Sequence, residues 1–211
     1  KYIQPLLSVK SLKTIRLATR ALSWWPYRFL ADDDTTEIFD LFEYIKSSEK
    51  NCAIMAHISH PDEISTPVAI QAVNRINSAG IIIRSQTPIL RGVNGSSEIL
   101  RNLFNKEVAM GIVPYYLFIE SSTDFTDFFK LPLIKALEIY NEATCSISGL
   151  ARTLRGPVLT CKSKKILIDG LVENSGESKI ILKCIQSPVL SEVNSIKIKE
   201  YFENSYFIDW D

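Results

Sequence analysis

The sequence has no excess of either charge and no segment that could cross a membrane. Lysine plus arginine and aspartate plus glutamate each number 24, so the formal net charge is zero. Dedicated nucleic-acid and membrane-surface binders need a basic surface, which this balance does not provide. No apolar run approaches the length of a membrane span, and residues 1–5 resemble neither a signal nor a transit peptide. We expect a cytoplasmic protein that binds neither nucleic acid nor membrane, and a chain that is truncated or processed.

The sequence also lacks the common cysteine and glycine motifs of metal, nucleotide and hydrolase sites. Four cysteines, Cys52, Cys145, Cys161 and Cys184, are widely spaced and form no CxxC pair. The usual cysteine cradle for zinc or an iron–sulfur cluster is therefore absent from this chain, and we expect all four thiols to be reduced. No GxGxxG or GxxxxGK loop and no G-x-S-x-G elbow is present. These absences argue against a dinucleotide-binding domain and against a serine hydrolase.

What the sequence does contain is an alternation of strand and helix patterns over most of its 211 residues. Helix signals lie between the strands: Asp34 with Glu37 suggests a capping box, Thr66 precedes a proline, and Gly80 and Gly111 suit C-terminal caps. Apolar segments predict strands at residues 14–19, 52–58, from 81, 112–118 and, as a short fifth strand, 145–148.

The repeated βα pattern predicts an α/β fold. Such units build parallel sheets with right-handed crossovers, either as a doubly wound sheet or as part of a (β/α) barrel. Four or five strands cannot close an eight-stranded barrel. Segments 165–168 and 179–182 flank Asn174-Ser175-Gly176, which predicts a hairpin. We therefore expect βα units over residues 1–157 and a β-hairpin extension over residues 158–211.

Polar side chains at the predicted strand ends are the candidate site, because parallel strands bring their carboxyl ends to one edge. The only two histidines of the chain lie together just after the second strand. The combination of cations, an amide, hydroxyls and aromatic walls suits a polar, anionic small molecule. The candidates are Thr19, Arg20, His57, His60, Gln86, Arg91, Tyr116, Phe118, Glu120 and Ser148.

Several of these candidates, and the nearby Arg152 and Arg155, also have a purely structural interpretation. His57 and His60 could form a metal pair, but no third ligand is near, and a hydrogen-bonded histidine that orders the strand end is the simpler interpretation. Gln86 could satisfy loop backbone as readily as it could contact a ligand. Arg152 and Arg155 could bind a carboxylate or phosphate, and a structural ion pair fits them equally well.

Three segments resemble the lysine 2,3-aminomutase family of radical S-adenosylmethionine (SAM) enzymes. The first is Met55-Ala56-His57-Ile58-Ser59-His60-Pro61-Asp62-Glu63-Ile64, and the second is Ile82-Ile83-Arg84-Ser85-Gln86-Thr87-Pro88-Ile89-Leu90-Arg91-Gly92-Val93-Asn94. The third is Val113-Pro114-Tyr115-Tyr116-Leu117-Phe118, followed by Ser148-Gly149. Their order and spacing agree with the family from about Thr14 to Pro157. Residues 25–29 and 149–157 resemble an uncharacterised branch of it.

The resemblance implies the C-terminal part of a radical-SAM, partial TIM-type barrel. It places His57 and Gln86 at positions that contact SAM, with Thr19 and Arg20 lining the same mouth. Members of the family cleave SAM reductively at a [4Fe-4S] cluster, and in the aminomutases pyridoxal phosphate carries the migrating amino group. The residues expected to line the substrate pocket are Arg91, Tyr116, Phe118, Glu120, Ser148, Arg152 and Arg155.

The chain also departs from the family pattern. It contains neither the CxxxCxxC cluster motif nor the C-terminal cysteine cluster that binds zinc in the lysine enzyme. The family's acidic residue for the lysine ammonium aligns with Ser121, beside Glu120. The Gly-rich segment with the pyridoxal-phosphate lysine is replaced, and Lys162, Lys164 and Lys165 stand nearby without a basis for choosing among them.

Three hypotheses follow from the sequence. The first is the C-terminal part of an aminomutase-like isomerase, inactive alone, with an amino-acid-like substrate and a missing N-terminal half or a covering partner. The second is a non-catalytic remnant that binds a small molecule or a partner. The third and weakest is a mononuclear metallohydrolase that uses His57 and His60. Homo-oligomer formation stays open.

Overall fold

The computed structural model describes residues 2–120, 128–174 and 177–210, and it is a mixed α/β structure. In these residues the strands form one sheet in chain order. The strands are β1 (Thr14–Thr19), β2 (Asn51–His57), β3 (Ile82–Ile89), β4 (Ile112–Ile119), β5 (Arg155–Cys161), β6 (Lys164–Asn174), β7 (Glu177–Gln186) and β8 (Ile196–Glu200). The helices are α1 (Gln4–Leu7), α2 (Ala21–Trp24), α3 (Thr35–Ser47), α4 (Pro67–Ser78), α5 (Ser97–Ala109) and α6 (Leu133–Thr144).

The chain divides into two compact units. Unit 1 comprises residues 1–86 and 106–114, and unit 2 comprises residues 87–105 and 115–211. The predicted α/β class and the change to hairpins in the C-terminal part are confirmed. The predicted division at residue 157 stays a prediction. None of the helices in the described residues is long and apolar enough to cross a lipid bilayer.

Unit 1 is built on parallel strand pairs whose apolar faces form its core. β1 pairs with β2 and β2 with β3, both in parallel. Residues 52–56 of β2 are all buried, as expected for a strand covered on both faces. On one face Ile54 packs in the core with Phe42 and Ile45 of α3, and each of these is at most 1% exposed. This core fixes the positions of the strand ends.

The helix boundaries of unit 1 follow most of the predicted signals. Thr66 caps α4, because its hydroxyl oxygen accepts a hydrogen bond from the Ala69 N–H at 3.2 Å. Gly80 and Gly111 end α4 and α5 with positive φ angles of 72° and 77°. The capping box at Asp34 is wrong: its side chain makes no cap hydrogen bond. The carboxylate lies 2.6 Å from the Arg28 guanidinium instead, since that charged partner competes with the backbone donors.

Unit 2 changes from parallel to antiparallel pairing at β5. β4 pairs with β5 in parallel, with an irregularity between Tyr116 and Phe118. The backbones of these strands are close at Gly156, where an added Cβ would lie 2.7 Å from the Leu117 Cβ. The predicted short strand at 145–148 is wrong, because those residues form a turn after α6 and the fifth strand begins at Arg155.

The C-terminal strands of unit 2 form successive antiparallel pairs. β6 pairs with β5 and β7, and β7 pairs with β8. The tail is fastened to β8, because the ammonium groups of Lys197 and Lys199 donate to the carbonyls of Trp210 and Asp209, each at 2.6 Å. Trp210 is only 2% exposed. The predicted hairpin between residues 168 and 179 is confirmed, although its turn at 175–176 lies outside the described residues.

Candidate functional site

The ends of β1, β2 and β3 bring several predicted site residues to one edge of unit 1. Thr19 is in register with Ala56, and His57 at the end of β2 is in register with Gln86 of β3. Arg20 follows β1 directly, and its Nη2 lies 3.0 Å from His57 Nε2. The structure therefore places Arg20, His57 and Gln86 next to one another.

His57 is held as a neutral imidazole. Burial lowers its pKa from the ordinary value of 6.5, the positive charge of Arg20 lowers it further, and Glu63 acts in the opposite direction. Since a guanidinium only donates, the His57 Nε2 is the acceptor and the ring carries its proton on Nδ1. The backbone carbonyl of His57 also accepts a hydrogen bond from the Ser23 hydroxyl at 3.2 Å. Arg20 thus orients the imidazole, Ser23 holds the backbone of His57, and the ring keeps its donor on Nδ1.

Thr19 has a different environment from its neighbours. Side chains alternate along a strand, so Thr19 shares a face with Leu17, while His57 and Gln86 belong to the opposite face. Thr19 and Leu17 line a cavity of about 190 Å³ together with residues of α3. The Thr19 hydroxyl accepts a hydrogen bond from the Ala21 N–H at 3.0 Å. The structure places Thr19 at the same strand edge as Arg20 but not on the His57 face.

The loop after β2 is ordered by its own polar side chains. His60 Nδ1 accepts a hydrogen bond from the Asp62 N–H at 3.2 Å, and this contact caps the short 3₁₀ helix Pro61–Ile64. Glu63 accepts a hydrogen bond from the Ser59 N–H at 2.9 Å. In residues 2–120, 128–174 and 177–210 no group of three metal-ligating side chains occurs. His60 therefore orders the loop that follows His57.

A buried acid lies behind this edge of unit 1. Glu107 of α5 is 0% exposed, and its Oε2 accepts a hydrogen bond from the Ser85 hydroxyl at 2.8 Å. Burial raises the pKa of Glu107 to about 8, an effect that the Ser85 hydrogen bond opposes and the charge of Glu63 adds to. Within the described residues its Oε1 has no hydrogen-bond partner. Glu107 is therefore a neutral acid at pH 7 that contacts β3 one residue before Gln86.

Unit 2 contains an aromatic cluster on β4. The ring centroids of Tyr116 and Phe118 are 5.0 Å apart, and those of Tyr115 and Tyr116 are 4.2 Å apart. Arg155 of β5 is in register with Tyr116, and its positive charge acts on the Tyr116 hydroxyl. Burial raises the pKa of Tyr116, the contact with Tyr115 adds to the rise, and Arg155 opposes it. The structure therefore brings Tyr116, Phe118 and Arg155 together.

Lys165 adds a second cation to this cluster. Val158 is opposite Phe118, and Thr160 is opposite Lys165. Because Val158 and Thr160 are two residues apart on β5, Phe118 and Lys165 share a face. The Lys165 Nζ lies 4.5 Å from the Tyr116 ring centroid and 5.7 Å from that of Phe118. Of the three lysines left open by the sequence, it is Lys165 that makes these ring contacts.

The other predicted residues of unit 2 are engaged by nearby backbone. Arg152 donates to the Thr144 and Cys145 carbonyls at 3.2 and 2.7 Å, so it caps the C-terminus of α6. The Ser148 hydroxyl accepts from the Ala151 N–H at 3.2 Å, and the Arg91 Nε donates to the Phe128 carbonyl at 2.6 Å. Glu120 directly follows β4, and Ser121 lies outside the described residues.

Three features were not predicted from the sequence: the Arg20–Trp24 contact, the burial of Glu107 and the ring contacts of Lys165. The Arg20 guanidinium lies 5.1 Å from the centroid of the exposed Trp24 ring, so an aromatic side chain joins the His57 edge. In the sequence, Glu107 is noticeable only as a charged residue at a position where the α5 periodicity calls for an apolar one. That signal could have marked it as buried. Lys165 is signalled only by its alternation with apolar neighbours along β6.

In α/β proteins, ligands commonly bind where polar side chains follow the carboxyl ends of parallel strands. No family model matches the chain. It is, however, similar to proteins named L-lysine 2,3-aminomutase. The protein of Haemophilus influenzae is 29% identical over 73% of this chain and 44% of its own length. The protein of Buchnera aphidicola is 28% identical over 79% of this chain and 46% of its own length. The protein of Fusobacterium nucleatum is 28% identical over 71% of this chain and 33% of its own length.

The chain is therefore a homologue of the L-lysine 2,3-aminomutases, and the family resemblance expected from its motifs is confirmed. It spans less than half the length of these relatives and corresponds to their C-terminal part. Cys52, Cys161 and Cys184 are buried and Cys145 is exposed. With no cysteine group arranged as metal ligands in the described residues, this chain does not fit the role of holding an iron–sulfur cluster.

Proposed function

We propose that this chain is the C-terminal part of a radical-SAM enzyme that rearranges an amino-acid-like substrate in the manner of an aminomutase. Its strands would belong to a partial (β/α) barrel whose remaining part supplies the cluster ligands. The chain alone is then inactive, and we place the protein in the cytoplasm. The homologues named above support the family, and the arrangement of Arg20, His57 and Gln86 is the observation that carries the proposal.

These three residues suit the polar part of SAM. SAM supplies the precursor of the organic radical when it is bound. The SAM carboxylate needs hydrogen-bond donors. Arg20 and the neutral His57, which contact each other, can both donate to it. The Gln86 amide is in register with His57 and can both donate and accept. Thr19 orders the chain after β1 through the Ala21 N–H.

The β4 cluster suits the substrate side. Tyr116 and Phe118 form an aromatic wall, and Arg155 and Lys165 provide two cations against Tyr116. These residues also fit pyridoxal phosphate, which supplies an aldehyde that takes up the migrating amino group when it is bound. Lys165 would offer the amine and Arg155 a partner for the phosphate. The further residues proposed around this pocket are Arg91, Glu120, Ser148 and Arg152. Of these, Arg152 would shape the pocket through its hydrogen bonds to the end of α6 and would not bind the substrate itself.

SAM binding by the intact protein tests the proposal. We expect His57→Ala and Gln86→Ala each to raise the dissociation constant for SAM about tenfold or more, because each removes a hydrogen bond to a charged or polar ligand. Titration calorimetry measures this directly. With the cluster reconstituted and a reductant present, the unsubstituted protein is expected to release 5′-deoxyadenosine.

His60→Ala is the matched control, since His60 caps its own loop and its loss is expected to leave SAM affinity within about twofold, as for other changes away from a contact. Absence of SAM binding with a fully loaded cluster contradicts the proposal. A protein that binds neither SAM nor pyridoxal phosphate, yet binds an amino acid, would favour the non-catalytic remnant instead.

A further inference from the structure

An exposed aromatic patch follows β1 directly, at the edge of unit 1 where Arg20 and His57 lie. Trp24 is 70% exposed, and its neighbours Trp25 and Tyr27 are 55% and 44% exposed. Aromatic side chains carry large apolar areas, and an exposed apolar patch marks a place where a ligand or another molecule binds. The patch therefore predicts a contact at this edge, and the three rings differ in what they can offer to it.

Local structure fixes Trp24 beside the end of β2. Its N–H donates to the Arg20 carbonyl at 3.0 Å within the short helix α2. The hydroxyl of the preceding residue, Ser23, donates to the His57 carbonyl at 3.2 Å. Leu22 is 0% exposed and anchors α2 in the core. Successive helical residues are about 100° apart, so Trp24, two residues after Leu22, is directed away from that core.

Arg20 contacts both Trp24 and His57. Its guanidinium lies over the Trp24 ring, 5.1 Å from the centroid, in a cation–π contact. Its Nη2 lies 3.0 Å from His57 Nε2. The guanidinium covers one face of the indole, and the high exposure of Trp24 leaves the other face open to solvent. A ligand held by Arg20 and His57 therefore has an aromatic surface within reach.

Trp25 has different contacts, which keep it within its own loop. Its Nε1–H donates to both carboxylate oxygens of Asp32, each at 3.0 Å. Its ring centroid lies 5.3 Å from that of Tyr27. These contacts hold Trp25 against the residues that follow it, whereas the ring of Trp24 contacts a residue of the proposed SAM site. Trp24 is therefore the ring that can meet a ligand at this edge, and Trp25 is its matched control.

We infer that Trp24 stacks on the adenine of SAM. The inference rests on the proposed function, in which Arg20 and His57 bind the carboxylate at the other end of the same ligand. Adenine is flat, aromatic and uncharged, so it stacks on an indole ring without loss of a hydrated charge. The sulfonium group of SAM would instead be repelled by the Arg20 guanidinium across the ring. Trp24 thus recognises the nucleoside end of SAM, and Arg20 recognises the amino-acid end.

The probes 5′-methylthioadenosine and L-methionine separate the two ends of SAM, because each retains one of them. We expect Trp24→Leu to raise the dissociation constants of the intact protein for SAM and for 5′-methylthioadenosine about tenfold, as loss of base stacking does. The dissociation constant for L-methionine is expected to stay within about twofold. Arg20→Gln is expected to weaken binding of SAM and L-methionine and to spare 5′-methylthioadenosine. Titration calorimetry measures each constant.

Trp25→Leu is the matched control, and it is expected to change each dissociation constant less than about twofold, as changes away from a contact do. Thermal unfolding of each variant confirms that it folds. Fluorescence gives a second readout, because stacking quenches indole emission. The quenching by 5′-methylthioadenosine is expected to be reduced in Trp24→Phe, which keeps an aromatic face and most of the affinity, and to persist in Trp25→Phe.

Three results overturn the inference. The first is an equal loss of affinity in Trp25→Leu. The second is a Trp24→Leu variant that loses affinity for L-methionine and not for 5′-methylthioadenosine, because Trp24 then acts only by holding Arg20. The third is a change of oligomeric state in Trp24→Leu, measured by analytical ultracentrifugation, with unchanged affinity for 5′-methylthioadenosine. In that case the ring contacts another chain.

These outcomes are separable from the SAM test. If SAM binds through His57 and Gln86 while Trp24→Leu leaves its dissociation constant unchanged, the inference fails and the proposed function stands. If 5′-methylthioadenosine binds through Trp24 while SAM does not bind, the proposed function fails and the nucleoside contact stands.

Discussion

Arg20 and His57 of unit 1 are held in a different way from Arg91 and Arg152 of unit 2. At the end of β2, His57 is oriented by another side chain, Arg20, and by the Ser23 hydroxyl on its own carbonyl. In unit 2, Arg91 and Arg152 donate to backbone carbonyls close to them in space. Polar side chains that hydrogen-bond to one another can form a ligand site, whereas side chains that hydrogen-bond to loop backbone stabilise the loop. The difference separates residues that can meet a ligand from residues that shape its surroundings.

The largest expected effect concerns the buried acid behind the unit 1 site. The pKa of Glu107 is about 8 in the folded chain against the ordinary value of 4.5, so the folded state holds a proton that the unfolded state loses. The contribution of Glu107 to the free energy of unfolding is therefore greatest below about pH 4.5. It falls as the pH rises toward 8, by at most about 5 kcal/mol. Denaturant unfolding across this pH range measures the fall.

Glu107→Gln is the control, because a neutral amide keeps the size of the protonated acid and can still accept from Ser85. We expect its stability to vary much less between pH 5 and 8, a range that follows from the same linkage. A slope that persists unchanged in Glu107→Gln would show that another group is responsible.

A second effect tests the close strand approach beside the unit 2 cluster. In Gly156→Ala the new Cβ would lie 2.7 Å from the Leu117 Cβ, so β4 and β5 must separate next to Tyr116 and Arg155. Overpacking of this kind costs about 1–3 kcal/mol. Chemical denaturation measures it, and Gly170→Ala is the control because no atom lies within 4 Å of its added Cβ. Equal losses in the two variants would contradict the packing explanation.

A third, smaller effect tests the assignment of Arg152 to loop architecture. Arg152→Gln removes the two hydrogen bonds to the carbonyls of Thr144 and Cys145 at the end of α6. Because the side chain is exposed, we expect a loss of about 1 kcal/mol in unfolding free energy. Substrate affinity is expected to stay unchanged. A large loss of affinity with no loss of stability would move Arg152 from the loop to the ligand site.

The smallest effect is a change in the titration of His57. Burial is the main cause of its lowered pKa and Arg20 the second, so Arg20→Gln is expected to raise the pKa without restoring 6.5. In the native chain the depressed pKa adds stability above about pH 6.5, and this stability is lost as the pH falls below that value. NMR titration of the imidazole measures the change, and Lys10→Gln, which removes an exposed charge in the turn before β1, should leave the midpoint in place.

Local patterns predicted the elements well, because each helix or strand signal lies within a few residues. The Thr66 cap, the glycines that end α4 and α5, and the strand at residues 14–19 were all available from the sequence. The error at Asp34 arose because Arg28, six residues earlier, competes for its carboxylate. The strand predicted at 145–148 failed because Arg152 and Ser148 stabilise a turn there.

The candidate site was predictable in part. The strand-end rule placed Arg20, His57 and Gln86 correctly at one edge, since parallel register carries this information over a short stretch. It could not pair Lys165 with Tyr116 or Glu107 with Ser85. Those contacts depend on strand pairing and helix packing between residues that are tens of positions apart, and no local period encodes them.

β1 and β8, the first and last strands in the order of the sheet, differ in how well they are protected against pairing with another chain. β8 alternates isoleucine with Lys197 and Lys199, whose ammonium groups also hold the chain terminus across it. β1 has one arginine, Arg16, along its six residues. Unpaired strand margins recruit other chains unless charges discourage them. Among the strands that the structure describes, β1 is therefore the end strand with the weaker protection against pairing with another chain.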